Sequence, residues 1–253
     1  MPEQKPYGTV ILRAKQILDF LEQQSRPMNL QEIYTSLQTS KSTVLKILNT
    51  LCLVGYVKRD EGTKRYTLGI KMISYGEAAR KSFSIVEFAE PYLVALNEEL
   101  GETIHLGVFD HDQIVYVKKI NSKGKIILRS QVGHSIDLYC SAMGKAYLAE
   151  QDKQTVLDYF HRVKLIKRSR NTITDPDRLL ENLEEIRQCG YATDNEENED
   201  EIYCIGTVIK HQGRIEGLMS VSTPVFRINE EKKKKIIALL KKARLEIESK
   251  MNA

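Results

Sequence analysis

Between Ser40 and Leu68 the chain reads SKSTVLKILNTLCLVGYVKRDEGTKRYTL, and its apolar spacing changes there from a helical to a strand-like rhythm. Val44, Leu45, Leu48, Leu51 and Cys52 recur at intervals of three and four and predict one apolar stripe, with Ser42, Thr43, Lys46 and Asn49 on the opposite face. Gly55 stops the helix, and Tyr56 and Val57 begin a strand. Asp60-Glu61-Gly62 predicts a turn that tolerates positive φ, after which Tyr66-Thr67-Leu68 returns. A polar-fronted helix followed by a ribbon carrying Lys58, Arg59, Lys64 and Arg65 is the pattern of a winged helix-turn-helix.

The preceding residues supply the rest of that pattern. Val10, Ile11, Ala14, Ile17, Leu18 and Leu21 predict a first helix over Thr9–Glu22, and Pro27 closes it. Residues 30–37 read as a short second helix, and Gln38-Thr39-Ser40 as a turn whose hydroxyls can cap the next one. Charge is concentrated in the same region. Residues 1–80 hold 12 Lys and Arg against 7 Asp and Glu, a net of +5, whereas the rest hold 26 against 27. A local cationic surface of this kind suits a phosphate backbone, although a solvated face of a small domain would also carry such charges.

A length of 253 residues with 42% apolar content suggests two domains, each able to bury a core. No apolar run approaches the ~20 residues of a membrane helix, and Met1-Pro2-Glu3-Gln4-Lys5-Pro6 lacks the apolar core of a signal peptide. A soluble, cytoplasmic protein with no membrane partner is therefore expected. Cys52, Cys140, Cys189 and Cys204 lie far apart without a CxxC pair and read as reduced, mostly buried thiols.

Residues 69–82 predict a helical linker, dividing the chain into a DNA-binding domain (1–68), the linker, and a second domain (83–253). The second domain alternates helix and strand. Helices are expected over Ile85–Leu100, 141–149, 151–160, 177–189 and Glu230–Met251. Strands are expected over 103–109, Gln113–Ile120, 126–129, 204–210 and 216–222, with a further one entered at Gly190-Tyr191-Ala192. The fold class is α+β, an antiparallel sheet flanked by helices.

The chain resembles the IclR-type bacterial transcription regulators. The resemblance rests on SKSTVLKILNTLCLVGYVKRD and RYTLGIKMISYG, on LRSQVGHSIDLYCSAMGKAYLA, and on ITDPDRLLENLEEIRQCGYATDNEENEDEIYCIGTVI with LMSVSTP, in that order along nearly the whole chain. It implies an N-terminal winged helix-turn-helix, a helical linker and a C-terminal GAF-like effector-binding domain, assembled as a dimer or tetramer. The implied partners are double-stranded operator DNA and a small-molecule effector, expected to be a carboxylate of carbon metabolism, and no cofactor is implied. Repression is the expected mode, although the residues themselves do not distinguish repressor from activator.

The leading residues of a recognition helix face base edges and phosphates, which makes Ser40, Lys41, Ser42, Thr43 and Lys46 contact candidates. Lys58, Arg59, Lys64 and Arg65 would let the wing grip backbone or minor groove. By resemblance the effector pocket takes Ala142 and Met143 from the start of the SAMGKA helix, Asp194 after GYA, Cys204, and Ser220 and Ser222. Amides at that helix start can hold a carboxylate, and Ser220 and Ser222, two apart on a strand, share a face. The alternative is that both serines are ordinary strand residues and Cys204 a small buried hydrophobe. Ile136, Leu138 and Ile202 are candidate apolar walls. Met143 departs from the small residue common in the family and reshapes one wall.

Other polar clusters read as bland. Ser141 and Lys145 lack the SxxK spacing, MGKA lacks the frame of a P-loop, and no GxSxG is present. The five histidines have no ligand spacing, DNEENEDE reads as a solvated loop apart from Asp194, and residues 232–235 as the wet face of the last helix. No metal or catalytic residue is expected. The competing readings are an enzyme domain behind a DNA-binding module and a ligand-independent architectural DNA-binding protein.

Overall fold

The computed structural model describes residues 8–81 and 83–252. The first six residues, read above for a targeting signal, and Ser82, the end of the expected linker, lie outside them. The chain separates into two compact units, Met1–Ser82 and Phe83–Ala253.

The first unit contains α1 (Thr9–Glu22), α2 (Leu30–Ser36), α3 (Lys41–Leu53), β1 (Val57–Arg59), β2 (Tyr66–Leu68) and α4 (Lys71–Lys81). Asn29 opens α2 with a reciprocal cap: its side chain accepts the Glu32 amide at 2.9 Å, and its own amide donates to the Glu32 carboxylate at 2.7 Å. The core gathers Ile17 and Leu21 of α1, Ile33 of α2, four residues of α3, and Val57 and Tyr66 of the ribbon. The apolar stripe of α3 is Val44, Ile47, Leu48 and Leu51, so Ile47 replaces the expected Leu45 and Cys52, which are only half-buried. The wing turn also differs from expectation. The left-handed residue is Lys64 (φ 57°), because the Asp60 carboxylate accepts both the amide and the hydroxyl of Thr63 at 2.6 Å and winds the turn past Gly62. Met28 adds a bridge to Tyr66, exchanging backbone hydrogen bonds of 3.0 and 2.7 Å.

The second unit holds α5 (Ile85–Leu100), β3 (Thr103–Asp110), β4 (Gln113–Ile120), β5 (Ser135–Asp137), α6 (Ala142–Ala149), α7 (Lys153–Arg162), α8 (Pro176–Cys189), β6 (Ala192–Asn195), β7 (Ile202–His211), β8 (Arg214–Pro224) and α9 (Glu230–Met251). Its six strands are antiparallel in the order β5-β4-β3-β8-β7-β6. Strand alternation divides the core in two. Ile104, Leu106, Ile205, Met219 and Val221 pack against α5 and α9, while Ile114, Val208 and Leu218 share a second cluster with residues of α6, α7 and α8.

Two expectations fail here for identifiable reasons. Residues 126–129 form no strand: Ile126 and Ile127 are exposed, and Lys119 Nζ donates to the carbonyls of Leu128 and Ser130 at 2.7 Å where a ladder would need backbone partners. The edge strand is β5 instead, whose three residues are too few to show a period. In α9, Lys232 is not part of a uniformly wet face, since its ammonium reaches the buried Glu102 carboxylate at 2.5 Å.

Candidate DNA-reading surface and effector pocket

Ser40 caps α3. Its Oγ accepts the Thr43 amide at 3.3 Å and lies 3.2 and 2.8 Å from the hydroxyls of Ser42 and Thr43. The cap fixes which residues lead the helix, and Lys41, Ser42 and Lys46 stand exposed there while Thr43 is half-buried. Lys41, Lys46 and Lys58 make no ion pair among the described residues. On the wing, Lys58 pairs with Thr67 and Arg59 with Tyr66 across the ribbon, and the Arg59 guanidinium lies 5.7 Å over the Tyr66 ring. Lys64 is 2.8 Å from Glu61. Arg65 has a local duty: it donates to the Pro27 carbonyl at 2.9 Å and sits 3.8 Å from Glu32.

In the second unit, register brings the candidate effector residues together. Asp194, Cys204, Ser222 and Thr103 lie opposite one another across β6, β7, β8 and β3, and Gly206, Ser220, His105 and Lys119 form the next row on the same face. That face meets the start of α6. A Cβ on Gly206 would come within 3.0 Å of the Met143 nitrogen, so glycine is what lets the helix N-terminus approach the sheet. Gly144 makes the same helix fit from behind, since a Cβ there would lie 2.3 Å from the Leu138 Cα. Ser141 caps α6, accepting the Gly144 amide at 3.1 Å. The amides of Ala142 and Met143, in the first turn, have no intrahelical acceptor.

The polar atoms here are linked. Cys204 Sγ donates to Ser222 Oγ at 3.1 Å, Ser222 Oγ lies 3.3 Å from His105 Nδ1, and His105 Nε2 lies 2.8 Å from Ser130 Oγ. Burial pushes the Asp194 carboxyl up to about 7, against the pull of the Glu197 amide. Burial, helped by the Lys119 charge, holds the His105 imidazole down at about 3, and burial keeps the Cys204 thiol well above its ordinary range. Leu138 is wholly buried against α6, Ile136 packs half-buried on the same cluster, and Ile202 is half-buried two residues before Cys204 on β7.

Sequence reasoning missed His105, the Tyr116 ring tilted against it at 4.6 Å, and a buried ion pair. Lys145 Nζ lies 2.6 and 2.7 Å from the two oxygens of Glu197 and 3.1 Å from Asn182 Oδ1. DNEENEDE is therefore not a solvated loop throughout. Asp194 Oδ1 accepts the amides of Glu197 and Asn198 at 2.8 and 3.2 Å, and this curl turns Glu197 inward. The available signal was a lone lysine inside AMGKAYLA, where every neighbour is small or apolar. No group of three or more His, Cys, Asp or Glu among the described residues is placed to hold a metal ion.

Residues 77–249 match the bacterial transcriptional regulator IclR C-terminal family, and residues 10–61 match the IclR helix-turn-helix domain. The chain belongs to the IclR family. It is similar to the HTH-type transcriptional regulator KdgR of Escherichia coli (strain K12), with 32% identity over 242 residues, 95% of this chain and 92% of that one. The crystal structure of Thermotoga maritima IclR matches 98% of this chain and 100% of that one at 34% identity, with a TM-score of 0.81. An IclR homologue from Microbacterium hydrocarbonoxydans, solved in complex with 4-hydroxybenzoate, shares the fold over 96% of this chain and 99% of that one, with a TM-score of 0.81 at 17% identity. The protein is thus an IclR-family transcriptional regulator whose first unit carries the DNA-binding helix-turn-helix and whose second is the effector domain. No helix among the described residues is long and apolar enough to cross a membrane.

Proposed function

We propose that this regulator is a repressor that releases its operator when a small carboxylate binds between α6 and the sheet. The observation that carries the reading is the row of Asp194, Cys204 and Ser222, its two ends buried and Cys204 half-buried, on the face that the first-turn amides of Ala142 and Met143 approach at Gly206. Amides on the positive end of a helix dipole suit an anion, and the hydroxyls of Ser220 and Ser222 add donors on one side. The 4-hydroxybenzoate held by the Microbacterium homologue is a carboxylate bound to the same fold, which supports the class of ligand.

On the DNA, Lys41, Ser42, Thr43 and Lys46 face the major groove, and Lys58, Arg59 and Lys64 grip the backbone beside it. Ser40 and Arg65 serve mainly to position these groups. The working unit is a dimer or tetramer, and the exposed apolar side chains of Val10 and Ile11 on α1, 62% and 74% exposed, are surface that such an assembly would cover. Residues 69–82 act as the linker, and the effector must favour one arrangement of the oligomer over another to alter DNA binding.

The domain works without catalysis. Ser222 and His105 approach as a nucleophile and base would, but Nε2 faces Ser130 rather than a carboxylate, and an imidazole held near 3 is a weak base. The test is an operator-binding titration with a panel of small carboxylates, run alongside Ser222→Ala and Asp194→Asn. Release of the wild type by a carboxylate, with both variants bound to DNA but unresponsive, is the expected result. Normal responses from both variants would sink the pocket, and turnover of any acid would favour an enzyme.

A further inference from the structure

We propose that His105 is the specificity-determining residue of the effector pocket: its tautomer decides whether Ser222 offers the ligand a hydrogen or a lone pair. This rests on the pocket assigned above.

Ser222 Oγ has two polar side-chain neighbours on the sheet. Cys204 donates its S–H to it at 3.1 Å, and His105 Nδ1 lies 3.3 Å away. The other ring nitrogen faces Ser130 Oγ at 2.8 Å. The imidazole is 2% exposed, lies against Tyr116, and has Lys119 as its row neighbour. Burial and that ammonium disfavour a second positive charge, so the ring carries one N–H across the physiological range.

A neutral ring between two hydroxyls has two complete hydrogen-bond patterns. With the proton on Nε2, the ring donates to Ser130 and Nδ1 accepts the Ser222 O–H. Ser222 then has only a lone pair for a ligand. With the proton on Nδ1, the ring donates to Ser222, Ser130 donates to Nε2, and the Ser222 O–H is free to donate. The number of protons is the same in both, and neither charge nor any buried group is sacrificed in passing between them. The ligand-free protein takes the first pattern, because it alone gives the Ser222 O–H a good acceptor. A carboxylate oxygen, which has no hydrogen, selects the second, and an alcohol hydroxyl keeps the first. The segment that feels this change is 121–134, because Ser130 belongs to it and Lys119 anchors it through the Leu128 and Ser130 carbonyls.

The experiment is nitrogen NMR of the full chain with labelled histidine, the His105 signals being identified by their loss in His105→Phe. In the free protein His105 is expected to stay neutral between about pH 5 and 8 with its proton on Nε2. Ser130→Ala, which removes the acceptor for that proton, should move it to Nδ1. Titration of His105 in this range, or an unchanged tautomer in Ser130→Ala, overturns the proposal without any ligand. Formate, acetate and benzoate are then added, with methanol, ethanol and benzyl alcohol as hydroxyl counterparts. Carboxylate binding should move the proton to Nδ1, and His105→Phe, which takes away the acceptor that holds the Ser222 O–H at rest, should shift the carboxylate-to-alcohol preference toward the carboxylate roughly tenfold, the effect of one misdirected buried hydrogen bond. His105→Asn, whose amide can turn either way, should stay close to the wild-type preference. Binding that Ser222→Ala abolishes but that leaves the His105 tautomer unmoved overturns this inference alone. Binding indifferent to Ser222→Ala, or no response to any of the three acids, overturns the pocket and this inference with it.

Discussion

Lys145 and Glu197, 52 residues apart in the chain, meet at 2.6 Å with their side chains only 1% and 8% exposed. The pair ties α6, whose first turn approaches the sheet at Gly206, to the turn that follows Asp194 of β6. Removing one partner leaves a charge buried without compensation. Lys145→Ala is therefore expected to cost ~3–5 kcal/mol, and a Lys145→Met/Glu197→Leu double variant considerably less. Urea unfolding of the single and double variants measures both; a single variant as stable as wild type would contradict the buried pair.

Asp194 makes stability depend on pH in an unusual direction for a carboxylate. Its folded carboxyl ionises at about 7, whereas in the unfolded chain it ionises at the ordinary value of about 4. Between those limits the folded protein retains a proton that the unfolded chain has lost, so this residue's contribution falls as pH rises, by on the order of 4 kcal/mol in full. Asp194→Asn keeps an acceptor for the Glu197 and Asn198 amides. Relative to wild type, its melting temperature should be higher at about pH 8, with the advantage gone by about pH 4. Parallel melting curves at both pH values would rule this out.

On DNA, exposed Lys41 and Lys46 should act through phosphate. Replacing both with Ala should weaken operator binding and reduce the slope of log K against log salt by about 2, one counterion per contact. An unchanged slope would place the two lysines away from the backbone.

Ser40 and Ser42 should separate by function although they lie two residues apart. Ser40→Ala removes the α3 cap and should cost about 1 kcal/mol of folding stability. Ser42→Ala should leave thermal unfolding nearly unchanged while altering operator affinity. Paired melting and gel-shift measurements resolve the two, and equal effects on both would merge their roles.

Much of the fold was legible because it is periodic. The bounds of α1, α5 and α9 follow from apolar spacing, with Gly101 ending α5 and Asn229 capping α9, and the basic ribbon from its turn chemistry. What was misread depended on partners remote in sequence. Ile126 and Ile127 have strand propensity but no ladder to join, and Leu45 yields to Ile47 because the surfaces of α1 and the ribbon select which face of α3 is covered. His105 gave no local sign of importance, and Lys145 only its isolation among small and apolar neighbours. Their surroundings come from β3, β4, β8, α6, α8 and the 121–134 segment, and only the register across the sheet brings those together.

The Met28 bridge to Tyr66 and the hold of Arg65 on the Pro27 carbonyl bind the ribbon to the segment just before α2. Helix and ribbon consequently travel as one piece. A signal arriving from elsewhere in the molecule is therefore expected to lift or rotate the whole reading head rather than retract the wing alone, so that α3 and the wing should leave the operator together and not in sequence.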